Sequence, residues 1–406
     1  MILRSCIKKY KTDTHRAFSP EETLERIAPK MELAGITRVA DITNLDRIGI
    51  PVFSSIRPGA DKGAISVYNG KGATPAEARV SAMMEGIERY SAEVHDRKLR
   101  VESFSMLKAE AEAVGPRSLA LPQEADPELA IPWVLGYDLM GQEEVMVPAS
   151  AVFHPLPMEY PQLFRTNTNG LASGNVLEEA VFHGLSEVIE RDAWSLAEAV
   201  KDTGPLVSDV EDGLAADLLE KFARAEVEVR IKDITSDVGI PTIAAASDDL
   251  RLKDPALLTI GMGTHTSAEV AVLRALTEVA QSRLTQIHGA REDTTTADFR
   301  REIGYERTKR LNRHWFADSD RELFSDIRSQ DSEDFLDDIH LMLKRLKEAG
   351  MERAIVVDLT REEIGVPVVR VIVPGLEMSA VDPDRRGRRW RDEVKRHRSL
   401  SRAQRR

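Results

Sequence analysis

Between residues 175 and 194 the sequence reads NVLEEAVFHGLSEVIERDAW, with Glu179, His183, Glu187 and Glu190 four, four and three residues apart. On an α-helix that spacing places all four on one stripe. Val181, Phe182, Leu185, Val188 and Ile189 form a core-like side of the same rod. A solvated face ordinarily mixes acids with lysines. Here no Lys occurs between Asn175 and Lys201, and Arg191 is the one base in the segment besides His183. Carboxylates buried without partners are costly, so they take up protons or gather a cation.

Two other segments repeat the stripe. GKGATPAEARVSAMMEGIER (70–89), ASGNVLEEAVFHGLSEVIER (172–191) and GTHTSAEVAVLRALTEVAQSR (263–283) each run from small residues into an apolar helix. Each places an acid three residues before a second oxygen-bearing side chain: Glu85 and Glu88, Glu187 and Glu190, Glu278 and Gln281. Four residues before the first acid stand Ser81, His183 and Arg274, and after each pair come Arg89, Arg191 and Arg283. Five converging Glu residues imply a cation. With no Cys and at most one His, the oxygen set suits Mg²⁺ or Ca²⁺ rather than zinc. A di-iron bundle would want Glu-x-x-His pairs, which these helices lack. Mg²⁺ commonly shares its carboxylates with substrate phosphates, which points to a nucleotide. For those phosphates NGKGAT (69–74) offers Gly70 and Gly72 for close backbone approach, Lys71 as a point charge and a helix N-terminus. The GxxxxGK[ST] loop is absent. Arg89, Arg191 and Arg283 are expected to complete an anion clamp.

The ordered set S-x-x-x-E-x-x-E-R, E-x-x-E-R and E-x-x-Q-x-R, preceded by NGKGAT and NGLASGN, resembles the YcaO family across roughly Thr14 to Glu377. The resemblance implies an α/β (α+β) fold in which sheets pack against three acid-bearing helices lining an ATP/Mg²⁺ cleft. It implies Glu85, Glu88, Glu187, Glu190 and possible Glu278 as metal ligands. It implies Arg16, Thr23, Lys71, Ser81, Arg89, Glu179, His183, Arg191, Gln281 and Arg283 as ATP contacts, with His183, Arg191 and Arg283 also catalytic. The expected chemistry is phosphorylation of a peptide backbone amide oxygen followed by nucleophilic attack. The carboxyl terminus, SLSRAQRR, departs from the Pro-rich end common in azoline-forming members. IGIPVFSSIRP and VYNGKGATPAEARVSAMMEGIERYSAE look most like archaeal members that install a thioamide, typically at a glycine of the methyl-coenzyme M reductase alpha subunit. Such an enzyme would take external sulfide, sometimes through a TfuA-type partner, and work as a homodimer. An azoline-forming cyclodehydratase and a non-catalytic ATP-binding accessory protein are the alternatives. His183, Asp192 and Tyr90 are candidate proton-transfer groups, and His265 is an ambiguous one.

The elements that must position these groups are legible in outline. A helix is expected from about Pro20 to Ala34, with strands at ITRVADIT, IGIPVFSSI and AISVYNG. A Pro-rich stretch with short strands, including IPWVLGYDL and EEVMVPAS, runs from about 101 to 162. After a charged segment (291–328) come helix SEDFLDDIHLMLKRLKEAG and strands RAIVVDL and VPVVRVIVP. The expected organisation is an N-terminal α/β lobe (1–60), a nucleotide- and metal-binding core (61–290), a C-terminal α/β unit (291–384) and a basic tail (385–406).

Composition narrows the function classes. Of 406 residues, 42% are hydrophobic and 31% charged, as in an ordinary globular protein. No apolar run reaches the roughly 18 residues of a membrane span and the first residues lack a signal-peptide core, so a cytoplasmic location is expected. Cys6, the single cysteine, excludes an intrachain disulfide or thiolate cluster. A net charge of −12 argues against general nucleic-acid binding. Residues 385–406 nevertheless carry a local +9, leaving −21 on the rest, so the tail suits an acidic partner, RNA or the protein's own body.

Overall fold

The computed structural model describes residues 1–292 and 296–403. Among these residues, fourteen strands form three sheets. The first joins β1 (Arg38–Asp41), β2 (Val52–Ile56) and β3 (Val67–Lys71) in an antiparallel meander. The second has six strands: β4 (Arg100–Ser103), β5 (Ala130–Asp138), β6 (Glu143–Pro148), β7 (Leu171–Ser173), β13 (Ile355–Asp358) and β14 (Val368–Ile372). Its path is β4-β5-β13-β14-β7, with β6 paired to β5. The third orders β8 (Leu206–Ser208), β9 (Val227–Asp233), β10 (Thr242–Asp249), β11 (Thr259–Thr264) and β12 (Arg321–Leu323) as β11-β10-β9-β8-β12. The helices are α1 (Pro20–Ile27), α2 (Pro75–Ser91), α3 (Phe104–Glu110), α4 (Leu177–Val200), α5 (Gly213–Arg224), α6 (Ala268–His288), α7 (Thr296–Ile303), α8 (Tyr305–Leu311), α9 (Arg313–Phe316), α10 (Phe335–Glu348) and α11 (Arg388–Ala403). No helix among the described residues is long and apolar enough to cross a membrane.

The threefold repeat in the sequence is a threefold strand–turn–helix unit: β3 leads into α2, β7 into α4 and β11 into α6. Each of these strands ends the strand order of a different sheet. Glycines let each helix lie directly on its strand. A Cβ at Gly70 would come within 1.9 Å of the Ala82 nitrogen, and one at Gly263 within 2.1 Å of the Ala271 oxygen. Local chemistry sets where the helices begin. Thr74 and Glu77 form a capping box with Pro75 at the first position of α2, and Ser267 caps α6. α1 has the same device in Ser19, Pro20 and Glu22.

Each acid-bearing helix turns its apolar side into a core of its own. α2 supplies Met83, Met84 and Ile87 to one cluster, α4 supplies Phe182, Leu185 and Ile189 to a second, and α6 supplies Leu273, Leu276 and Val279 to a third. Burying each such side chain contributes about 1.5–3 kcal/mol. The polar stripes are left to face one another.

Several boundaries differ from those read in the sequence. α1 stops at Ile27 and continues as a 3₁₀ turn, Ala28–Lys30, rather than running to Ala34. The expected limit at residue 60 falls inside the first sheet, because β3 pairs with β2. Strands β13 and β14 of the expected C-terminal unit complete the sheet that begins with β4 and β5. Among the described residues the tail meets the protein's own body. Its helix α11 packs on α4, with Arg389 donating to both oxygens of Asp192 at 3.0 and 2.8 Å.

Candidate active site

Where the three helices converge lies a cleft of about 650 Å³. α2 lines it with Ser81, Glu85, Glu88 and Arg89; α4 with Glu179, His183, Glu187, Glu190 and Arg191; α6 with Arg274, Glu278 and Gln281. Lys71 and Gly72 from the β3–α2 turn, and Arg16 and Thr23 from the N-terminal segment, complete the wall. The expected site residues therefore share one space, with one exception. Arg283 is wholly buried away from the cleft, donating to Asp46 at 2.8 and 3.2 Å and to Asp249 at 3.0 Å. Its place one residue beyond the repeat turns it to the other side of α6. It is an internal ion-pair centre rather than the expected ATP contact or catalytic group.

The acidic stripe of α4 is buried rather than solvated: Glu179 is 1% exposed and Glu190 3%. Burial pushes Glu88 up to about 7 even though Ser173 donates twice to it, through N at 2.8 Å and Oγ at 2.7 Å. Burial also raises Glu187 and Glu190, against the pull of Arg191. Glu278 is held below the usual carboxylate range: Lys71, paired with it, and Arg191 outweigh the effect of burial. The remaining partners are local, Glu85 with Arg89 at 2.9 Å and Glu190 with Arg191 at 3.1 Å. Among the described residues no three His, Cys, Asp or Glu side chains stand close enough together to hold a metal ion. The five Glu residues are thus a shared acidic wall rather than a closed protein cage. Oxygen donors spread in this way suit a hard cation that takes the rest of its ligands from phosphate. The cationic side fits an anion as well, since Arg89 Nε and Arg274 Nε are buried without a hydrogen-bond partner.

At the other end of the cleft Glu179 is fixed by Ala17 N at 2.9 Å, Arg16 Nη1 at 3.3 Å and Asn175 Nδ2 at 3.3 Å. Thr23 Oγ1 donates to Asn175 at 3.0 Å. Arg16 also donates to His183 Nε2, and burial together with Arg16 holds His183 well below its ordinary value. Held neutral, with Nε2 facing the Arg16 guanidinium, the imidazole serves as a hydrogen-bond acceptor rather than as a base. The other proton-transfer candidates stand outside the cleft. Asp192 is taken up by Arg389, and the Tyr90 hydroxyl donates to Glu363 at 2.9 Å. His265 packs edge-on to Phe182, with Nδ1 accepting from Ser267 N at 2.9 Å.

Two groups carry more weight than the sequence reading allowed them. Arg274 occupies in α6 the place of Ser81 and His183, and that repeat position was the available signal. Asp13 lines the cleft beside Glu77 and is pushed up to about 8 by burial and by that neighbour. No pattern in the sequence marked it.

Comparison with known proteins agrees with this geometry. Residues 69–377 match the family model described as YcaO cyclodehydratase, ATP- and Mg²⁺-binding. An uncharacterized protein of Methanothermobacter thermautotrophicus is 54% identical, over 93% of this chain and 99% of its own length. An uncharacterized protein from the tfuA 3′ region of Rhizobium leguminosarum bv. trifolii is 33% identical over 90% of each chain. The structure of YcaO from Methanopyrus kandleri, bound with AMPPCP and Mg²⁺, superposes with a TM-score of 0.80 at 32% identity, over 94% of this chain and 98% of that one. The chain belongs to the YcaO family.

Proposed function

We propose that this protein is an ATP- and Mg²⁺-dependent enzyme that converts a peptide backbone amide into a thioamide, with hydrosulfide as the attacking nucleophile. The observation that carries the reading is the convergence of Glu85, Glu88, Glu187, Glu190 and Glu278 with several cationic side chains in one cleft of about 650 Å³. ATP with Mg²⁺ would supply the phosphoryl group that turns the amide oxygen, a poor leaving group, into phosphate, a good one.

The roles of this chain's residues follow from where they sit. Glu85, Glu88, Glu187 and Glu190, with Glu278, would share a divalent cation with the phosphates, since no three of them among the described residues stand close enough to hold it alone. Lys71, Arg89, Arg191 and Arg274 face the phosphates and neutralise charge, while Ser81 and Gln281 donate hydrogen bonds. Arg16, Thr23, Glu179 and Asn175 fix the nucleoside end. His183, neutral and beside Arg16, accepts a hydrogen bond. These are preorganised electrostatic groups, and such groups act strongly in a partly desolvated cleft.

Two observations favour thioamide over azoline formation. Among the described residues the cleft is lined by nothing beyond Arg300, so the carboxyl-terminal helix does not enter it. The similar proteins include archaeal chains and one encoded beside tfuA, in keeping with a separate TfuA-type partner. The substrate the resemblance implies is a glycine of the methyl-coenzyme M reductase alpha subunit, and the working form a homodimer in the cytoplasm. The family's description as cyclodehydratases supports ring formation as the second reading. Incubating the protein with ATP, Mg²⁺, hydrosulfide and a glycine-containing peptide separates the two. Phosphate release with an oxygen-for-sulfur mass change is expected, whereas loss of water from a Cys, Ser or Thr peptide would replace this reading by the second.

A further inference from the structure

Behind the cleft lies a second, much smaller cavity of about 60 Å³ that the proposed reaction does not use. Arg370 on β14 and Arg385 before α11 both line it, 3% and 5% exposed. Neither finds a carboxylate there. Arg370 donates from Nε to the Ala151 oxygen at 3.0 Å and from Nη2 to Asn167 at 3.4 Å. Its Nη1 is buried with no hydrogen-bond partner. Arg385 stacks on the Phe164 ring at 3.5 Å and donates to the Ala120 and Leu119 oxygens. Glu377 also lines the cavity, but its two oxygens are taken by Gly387 N and Trp390 N at 2.8 and 2.9 Å. Burial depresses both guanidiniums, Arg370 to about 9 and Arg385 to about 10, so both keep their charge at neutral pH and would gain from an anion.

The unpartnered groups define the ligand. One is a cationic N–H; another is Asn169 Oδ1, a carbonyl acceptor that is buried without a partner and belongs to the same lining. The space admits one or two water-sized particles and is far below the 300–1,000 Å³ of a typical small-molecule pocket, which excludes a nucleotide or a peptide. Hydrosulfide is a particle of that size that is anionic and also donates a hydrogen bond. Position agrees: in the segment leading into β7, Asn167 and Asn169 line the small cavity while Thr168, and Leu171 at the start of β7, line the cleft. Arg370 is also near enough to Glu187 to act on its ionisation.

We propose that this cavity is a small-anion site that holds hydrosulfide one chain-width from the active cleft, between Arg370, Arg385 and Asn169. The assignment of hydrosulfide rests on the thioamide reading; binding itself does not. Crystals of the full chain soaked in sodium bromide, with and without competing sodium hydrosulfide, test it by anomalous scattering. A bromide peak between the two arginines that hydrosulfide displaces is the expected result, and it can be read even if the protein makes no thioamide. Bromide that hydrosulfide leaves in place is an adventitious ion only and overturns the proposal, as does a cavity without bromide. In turnover assays Arg370→Gln, which loses a charge-assisted hydrogen bond, should raise the KM for hydrosulfide by roughly tenfold and Asn169→Val by less, with the KM for ATP changing by a smaller factor in each variant. Equal changes in both constants, in both variants, would reduce these residues to scaffolding and also overturn it.

Discussion

Glu187 lines the cleft with its ionisation opposed by burial and favoured by Arg191, Arg370 and Arg89. If its task is to hold a cation, Glu187→Gln keeps the shape and loses the charge. Turnover should fall on the order of 10²- to 10³-fold, as for removal of one preorganised electrostatic group, while thermal stability is unchanged or higher. Steady-state assays at saturating Mg²⁺ beside a melting curve would check this. Wild-type turnover would contradict the role. Glu88 gives a second handle. Its folded-state value of about 7 lies above the ordinary 4.5, so the folded protein binds this proton more tightly than the unfolded chain. The stability it contributes is complete below about pH 4.5 and is lost as pH rises through 7. Buried His15 and His154, both depressed to about 4, act in the opposite sense, so the difference between proteins isolates the carboxyl. Wild type minus Glu88→Gln stability should decline from pH 4.5 to 7 without nucleotide, and a flat difference would refute the assignment. Metal binding favours the ionised form and should release protons, measurable as a buffer-dependent heat.

At the scale of elements, three helices keep their register through glycines on their strands. Gly70→Ala would drive a methyl into the backbone of α2 at Ala82, which cannot yield as a side-chain end could. The expected cost is about 1–3 kcal/mol, and because α2 carries Ser81, Glu85 and Glu88, ATP affinity should fall with it. Gly239→Ala is the control, since nothing lies within 4 Å of its added Cβ. Its φ of +70° brings local strain but no helix displacement. Calorimetry of folding and of ATP binding on both variants would separate the two effects. A Gly70→Ala protein with normal ATP affinity would show that helix position tolerates more than the packing implies.

Across the whole molecule, two arginines tie distant parts together. Arg283 joins Asp46, between β1 and β2, to Asp249 at the end of β10, bridging two sheets. Arg283→Ala leaves buried Asp46 without its ion partner, while Asp249 keeps Arg47, and should cost about 3–5 kcal/mol. ATP affinity of the folded fraction should be retained, the opposite of the outcome for a phosphate contact. Arg389 does the same for the tail by closing over Asp192, which is wholly buried and two residues from Glu190 on α4. Arg389→Ala should lower the melting temperature clearly, and an unchanged value would show that this contact does not hold the tail to the body.

What could be read from the chain alone was whatever depends on short-range periodicity. The i, i+3, i+4 stripes of Glu85 and Glu88, of Glu179 through Glu190, and of Glu278 and Gln281 follow from helical geometry, as do the capped starts at Thr74 and Ser267. Repetition of one stripe three times announced a shared site, because three solvated faces have no reason to agree. The folded structure decided which members face inward together. Arg283 lies one residue past the repeat, about 100° further round the helix, and so serves Asp46 and Asp249 instead of the cleft. Asp192 and Arg389 are 197 residues apart, and Asp13 meets Glu77 from the N-terminal segment. Such pairings depend on how sheets meet at their edges, a long-range outcome of packing that no local spacing encodes.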